Sequence, residues 1–362
     1  MSPPPVDRLR AWMEEAGVPV AYLTRPVSIG YLCGFHSEPH ERLMALVVSP
    51  SSATLIVPGL DEERALRSAA GVEVRGWADG EDAWGVVAAA LGPPPAVGRV
   101  AVEKGHLSLA GWERLQALTD AEPVDAGVQL RAMRVRKSAG ELERLQRAAL
   151  ITDQVTERIL SDLTVGSSEQ EMAMALDLQI AEAGAQLSFA TLVQTGPNSA
   201  LPHAQPGTRR LQAGDLVLLD FGAAWEGYRA DTTRMAVLGE ATSRQLEVHA
   251  AVLAAHDAAV EAVRPGATAG QVDEAARAVL RQAGLGERFI HRVGHGLGLE
   301  AHEDPSLDPG SDLVLEEGMV VTIEPGAYLP GWGGVRIEDD VVVEAAGARL
   351  LTTADRGLRV VG

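Results

Sequence analysis

One cysteine, Cys33, is all that 362 residues provide, which excludes an internal disulfide framework and suits a reducing compartment such as the cytoplasm. It lies in the apolar run Tyr31-Leu32-Cys33, a context for a buried structural thiol rather than a nucleophile. No run of 18 apolar residues occurs, so no membrane-spanning helix is expected. The stretch from Met1 to Arg10 carries three prolines and no apolar core, so no signal peptide is expected either. Aromatics make up only 4%, and the core must therefore be mostly Ala, Val and Leu. Positive charge is scarce too: 31 Lys and Arg stand against 50 Asp and Glu, a formal net charge of -19. That balance argues against nucleic acid or an anionic membrane as partner.

What is present is ample for a core, with 46% hydrophobic and 22% charged residues. The length suggests two domains at about 150 residues each. Residues 1 to about 130 alternate short helices and strands. Val6–Ala16 is helical with Gly17 as stop, and Val20–Leu23, Leu43–Val48, Ala53–Val57 and Val100–Val102 are strands. Asp82–Leu91 is a helix closed by Gly92 and the run Pro93-Pro94-Pro95. This pattern predicts an α/β domain. The basic stretch Arg131–Lys137 follows the boundary, and residues 131–362 form the second domain. Capping boxes at Ser138-Ala139-Gly140-Glu141 and Ser168-Glu169-Gln170-Glu171 open two helices, the second ending at Gly184. Arg244–Val263 and Ala269–Ala283 form a second helical pair. Strands cluster after each pair, which makes the class α+β and hints at an old duplication.

The chemistry concentrates in this second part. Leu216-Val217-Leu218-Leu219 reads as a buried strand, yet it runs into Asp220, and an unpaired buried charge is costly. Asp231 opens another strand through Val237, and Gly222 with Trp225-Glu226-Gly227-Tyr228 suits a hairpin between the two. A hairpin would bring Asp220 and Asp231 side by side, and two like charges that close need a cation. His295 stands in the glycine-rich loop His291–Gly298, and Glu324 follows the strand Met319–Ile323. Val335–Asp340 leads on into Val341–Val343 as a strand in which Arg336 and Glu338 share a face. Each residue alone has an ordinary explanation as a turn aspartate, a loop histidine or a solvated glutamate. Together, four carboxylates and a neutral imidazole carry a charge that two divalent cations would cancel. Oxygen-rich ligands with one nitrogen suit Mn or Co ahead of Zn, and such a pair of ions can activate water and polarise a carbonyl.

The segments Asp220-Phe221-Gly222, Ala230-Asp231-Thr232-Thr233-Arg234, Gly294-His295-Gly296-Leu297-Gly298, Ile323-Glu324-Pro325-Gly326 and Arg336-Ile337-Glu338-Asp339 resemble the motif set of the pita-bread metallopeptidases. That family includes Xaa-Pro dipeptidase (prolidase), Xaa-Pro aminopeptidase, methionine aminopeptidase and the metal-free creatinase. The resemblance spans the chain and implies a C-terminal pita-bread domain behind a smaller creatinase-type α/β domain. It implies that Asp220, Asp231, His295, Glu324 and Glu338 hold two metal ions, with Asp231 and Glu338 bridging. It also implies that His203 and His302 contact substrate, that Glu324 shuttles a proton, and that His291, Tyr328 and Arg336 complete the site.

Two further stretches bear on which member this is. Pro39-His40-Glu41-Arg42 looks like a loop of certain bacterial prolidases that reaches toward a partner subunit's active site, and so implies a homodimer. Phe289-Ile290-His291-Arg292 matches the same group, where the arginine holds the dipeptide carboxylate. The expected activity is therefore hydrolysis of the Xaa-Pro imide bond by a dipeptidase that takes peptide as its partner. The alternatives are an Xaa-Pro aminopeptidase acting on longer peptides and a non-enzymatic peptide-binding protein on the same fold.

Overall fold

The computed structural model describes residues 3–92 and 98–362, so the expected Pro93-Pro94-Pro95 helix stop lies outside the described residues. The chain divides into two compact units, Met1–Arg134 and Val135–Gly362. The division falls within the helix Gly127–Val135, a few residues beyond the boundary expected from the basic stretch.

The first unit is built on a six-stranded mixed sheet in the order Glu73–Trp77, Ala53–Pro58, Ala45–Val48, Val20–Leu23, Arg99–Val102, Glu122–Asp125. Its core is aliphatic, from Val20, Val47, Ile56, Val100 and Leu115, as the low aromatic content requires. The helix Pro26–Cys33 had no periodic signature. Ser28 through Cys33 are all buried, and a helix covered on every side shows no amphipathic period. Cys33 is buried within it, and that burial pushes its thiol up to about 11.

The second unit repeats one arrangement twice. The helices Ala139–Asp162 and Glu169–Glu182 belong to a core shared with the sheet Arg359–Val361, Thr232–Leu238, Leu216–Phe221, Leu192–Thr195. Ser243–Ala262 and Ala269–Gln282 belong to a second core, shared with the sheet Glu303–Ser306, His295–Gly296, Val320–Ile323, Asp339–Glu344, Gly347–Leu350. The expected capping boxes start the first pair. The Ser138 N–H and hydroxyl both donate to Glu141, and the Ser168 N–H donates to Glu171.

The strand Leu216–Phe221 explains its own sequence. Val217, Leu219 and Phe221 enter one core, and Leu216 and Leu218 enter the other. Both faces are covered, so the strand reads as a continuous apolar run. Asp220 shares parity with Leu216 and Leu218 and so points to the side of the second core.

One expected strand and one expected loop differ. Val335–Val343 is not continuous: Gly333–Arg336 pairs with Gly326–Leu329, whereas Asp339–Glu344 joins the five-stranded sheet. Ile337 and Glu338 lie at the break, because Glu338 forms a bridge to Thr233 in the neighbouring sheet instead of continuing either ladder. The glycine-rich loop contains the short strand His295–Gly296, which pairs on both sides.

The hairpin between Asp220 and Asp231 forms. Thr233 is opposite Asp220 in an antiparallel ladder, and the turn residues Glu226 and Gly227 both take positive φ, at 48° and 85°, as a two-residue type I′ turn requires. At Gly222 the opposing backbone is so near that an added Cβ would lie 1.8 Å from the Ala230 carbonyl oxygen. Gly222→Ala should therefore force the hairpin apart and cost about 1–3 kcal/mol or more. Urea unfolding measures this, and an unchanged midpoint would show that the close approach is not needed.

Candidate metal centre and active-site cleft

Three of the four acidic residues of the cluster, Asp231, Glu324 and Glu338, are held by backbone hydrogen bonds. The Asp231 N–H donates to Asp340 Oδ2 at 3.0 Å, and the Glu324 N–H to the Val293 carbonyl at 2.8 Å. Glu338 is held from two directions: its N–H donates to the Thr233 carbonyl at 3.3 Å, and the Thr233 hydroxyl donates to Glu338 Oε2 at 2.6 Å. His295 donates its N–H to the Thr322 hydroxyl at 3.1 Å. Gly294 lets these strands close up, since a Cβ there would meet the Thr322 carbonyl oxygen at 1.9 Å.

These anchors make the side chains converge. Ligand atoms of Asp231, His295 and Glu338 lie within 4.8 Å of one another. His295 Nε2 is 3.4 Å from Glu324 Oε1 and 3.9 Å from Asp231 Oδ2. Asp220 joins through Arg336, whose Nη2 donates to Asp220 Oδ2 and whose Nε is 3.9 Å from Glu338 Oε2. Arg336 also donates from Nε to the Thr233 hydroxyl and from Nη1 to the Tyr328 hydroxyl, both at 3.0 Å. Although the expected strand is broken after Arg336, its side chain and that of Glu338 still reach one centre.

Whether a cation fits can be decided from the histidine. His295 Nδ1 is 3.1 Å from the Gly296 carbonyl, which can only accept, so the ring proton sits on Nδ1. That leaves Nε2 as a bare lone pair aimed at the carboxylates of Glu324 and Asp231. Burial first, and His302 second, push His295 down to about 3, so it is neutral near pH 7. Asp220 Oδ1 and Asp231 Oδ1 are buried with no hydrogen-bond partner among the described residues. A neutral imidazole lone pair and unpartnered carboxylate oxygens, with a single guanidinium against four carboxyls, make a donor set that fits divalent cations.

Without a cation the cluster must hold protons. Burial raises all four carboxyls. Asp231 and Glu324 stand well above the usual range, each pushed further by Glu338, and Glu338 reaches about 7 with Asp220 adding to burial. For Asp220 burial also wins, against the opposing pull of Arg336.

A cleft of about 1390 Å³ is lined by all five of these residues and by His203, His291, Arg292, His302, Tyr328 and Arg336. The structure thus brings together every expected site residue of the second unit. His291 Nδ1 donates to the Arg292 carbonyl at 2.8 Å, so its Nε2 accepts from the Tyr328 hydroxyl at 3.0 Å. Burial lowers His291 to about 4, which keeps it in that neutral form. The rings of His295 and His302 meet edge to face at 4.2 Å. Arg292 donates to the Ser306 hydroxyl at 2.7 Å, and His203 is exposed on the loop after Ala200. His40 and Arg42 belong to the first unit. There His40 is exposed with φ 53°, and Arg42 is paired with Asp79 at 3.0 Å and with Glu41 at 2.8 Å.

Residues outside the expected set also shape the cleft. Thr233 orders Glu338 and Arg336, although it stood in plain view in the Asp231–Arg234 motif. Arg277 lines the cleft, pairs with Asp273 and donates from Nη1 to the Phe289 carbonyl at 3.0 Å, while Asp273 accepts from the Val293 N–H at 3.0 Å. This pair anchors the segment that carries His291 and Arg292. Its signal was an i,i+4 Asp–Arg pair on one helix.

Comparison with known proteins agrees with this geometry. Residues 143–345 match the model of metallopeptidase family M24, and residues 5–136 match the creatinase/prolidase N-terminal domain. The chain is 36% identical over 362 residues to a Lactobacillus helveticus protein named Xaa-Pro dipeptidase, with 98% of each chain covered. Among solved structures it resembles an Xaa-Pro dipeptidase from Bacillus anthracis (TM-score 0.90, 34% identity, 98% of each chain). It also resembles an X-Pro aminopeptidase from Thermotoga maritima (TM-score 0.89, 31% identity, 96% of this chain and 99% of that one).

The raised carboxyls set a pH dependence. A carboxyl whose folded pKa lies above its unfolded value keeps its proton in the folded state while the unfolded chain releases one. Stability is then lost as pH rises from the ordinary carboxylate range through about 7, the value of Glu338. The metal-stripped protein should melt at a lower temperature at pH 8 than at pH 5, and added divalent metal should remove that slope. A metal-free melting temperature that rises over this range would contradict the assignment.

Proposed function

This chain belongs to metallopeptidase family M24 and is a metal-dependent hydrolase acting on peptides, and from that premise we propose that it is an Xaa-Pro dipeptidase, a prolidase that releases proline. The observation that carries the dipeptidase reading is Arg292, a guanidinium on the cleft wall beside the candidate metal centre. Its planar fork suits the free carboxylate of a dipeptide, which would place the imide bond at the acidic cluster.

In this proposal Asp220, Asp231, His295, Glu324 and Glu338 hold two divalent ions, with Mn ahead of Co or Zn. When bound, such ions polarise the scissile carbonyl and lower the pKa of water. The remaining work falls to the chain itself. His203 and His302 donate to the carbonyl oxygen as negative charge develops there. Glu324 is the most accessible of the four carboxylates, with its side chain 17% exposed, so it is suited to take up a proton and pass it to the leaving nitrogen. The relay from Arg336 through Tyr328 to His291 keeps that histidine neutral and oriented at the cleft wall. We also infer a cytoplasmic homodimer. A single buried thiol fits that compartment, and the resemblance of the Pro39–Arg42 loop suggests a role at a neighbouring subunit.

The second reading, an Xaa-Pro aminopeptidase, is favoured by the similarity to the Thermotoga maritima structure, which carries that name. Substrate length separates the two. The Mn-loaded protein should cleave Leu-Pro faster than a tripeptide beginning Leu-Pro, and faster tripeptide cleavage would favour the aminopeptidase. Arg292→Ala should raise KM for Leu-Pro by about 10-fold or more, the equivalent of about 1.4 kcal/mol for a lost charged hydrogen bond, while altering tripeptide KM less. Equal effects on both substrates would remove Arg292 from carboxylate recognition.

A further inference from the structure

His203 stands on an exposed loop, yet that loop is tied down by two buried polar side chains that the chemistry above does not use. At its base Glu169, 1% exposed, accepts from the Thr195 N–H and hydroxyl at 2.9 Å each, from Asn198 Nδ2 at 3.0 Å and from the Gly207 N–H at 3.0 Å. At its tip Gln194, fully buried, donates from Nε2 to the Pro202 carbonyl at 3.1 Å and to the Ala204 carbonyl at 3.1 Å.

Those two carbonyls belong to the residues on either side of His203. Both can only accept, so the amide must present its NH2 group, and the two hydrogens of one nitrogen match the two acceptors. The orientation follows from the partners alone, since a flipped amide would set its oxygen against two carbonyl oxygens. Gln194 Oε1 is left buried without a hydrogen-bond partner among the described residues. An unsatisfied buried acceptor costs about 1–3 kcal/mol, so an amide here is not the choice that core packing alone would make.

The strand places this group deliberately with respect to the cleft. Leu192 is opposite Asp220 and Gln194 opposite Leu218, so Gln194 and Asp220 lie on the same face of the sheet, two residues apart in register. The clamp and the acidic cluster are thus built from one rigid element pair, and the loop inherits its position from the strands that carry the cluster.

We propose that Gln194 is a positioning residue of the reaction, fixing the peptide on both sides of His203 and so aiming its imidazole at the reacting carbonyl. The inference rests on the reading that His203 touches substrate. A displacement of the order of 1 Å in such a group lowers turnover by about 10²-fold.

The test is a double-mutant cycle on the Mn-loaded enzyme, reading kcat and KM for Leu-Pro, bound metal and melting temperature. His203→Ala should lower kcat by about 10²–10³-fold. Gln194→Leu, similar in size but without donors, should lower kcat by about 10²-fold with KM and bound metal near wild type. The double variant should be no slower than His203→Ala alone. Wild-type kcat in Gln194→Leu, or a full further loss on the His203→Ala background, overturns the inference while leaving the role of His203 intact. Wild-type kcat in His203→Ala instead overturns the reading of His203 on which it rests. Should Gln194→Leu not fold, Gln194→Glu keeps the shape, and its kcat relative to wild type should rise as pH falls and the carboxyl regains an O–H donor. A ratio level with wild type throughout would also overturn the inference.

Discussion

Four carboxylates, Asp220, Asp231, Glu324 and Glu338, are drawn into an aliphatic interior with one guanidinium, Arg336, and one neutral imidazole, His295, among them. That imbalance is the constraint on which the rest of the second unit depends. A single ionised group buried without a partner is unfavourable by several kcal/mol, and here the groups also repel one another. The protein can answer only by keeping protons on the cluster or by binding cations. The raised carboxyls describe the first state, and the lone pair of His295 Nε2, turned toward Glu324 and Asp231, describes the readiness for the second.

Much of the surrounding structure serves to hold that arrangement. Both faces of the strand Leu216–Phe221 are packed, so Asp220 cannot swing away. Arg234, the largest of the fully buried side chains, bonds the Glu338 carbonyl at 2.6 Å and pairs with Asp339, which fixes the chain where two strands break. Glycines stand where backbones come too close for a side chain. Hydroxyls and amides such as those of Thr233, Thr322 and Gln194 then satisfy carboxylates, N–H groups and carbonyls that would otherwise be left unpaired. Neutral donors thus surround the charged groups, which sit within strands or immediately beside strand ends.

The parts of this that the sequence made legible are those with local signatures. The capping boxes at Ser138 and Ser168 mark helix starts because their hydrogen bonds span only three residues. The apolar run before Asp220 marks a strand because burial on both faces removes the alternation. The charge total of Asp220, Asp231, His295, Glu324 and Glu338 points to divalent cations. What was not legible depends on contacts distant along the chain. The helix Pro26–Cys33 is enclosed on all sides and lacks a period. The break at Ile337–Glu338 exists because Glu338 bridges to Thr233, 105 residues away. The clamp of Gln194 on the His203 loop needs a strand register that no local pattern encodes. The pairing of Arg42 with Asp79, 37 residues on, likewise has no local signature.

The buried acidic cluster is expected to be a site for two divalent ions and not a proton-balanced structural core. The most direct measurement is the number of ions retained per chain after equilibrium dialysis against Mn, for the wild type and for Asp231→Asn. Two ions per chain in the wild type, and loss of both in Asp231→Asn, are the predicted result. A wild-type chain that retains none, or an Asp231→Asn chain that still retains two, would contradict it.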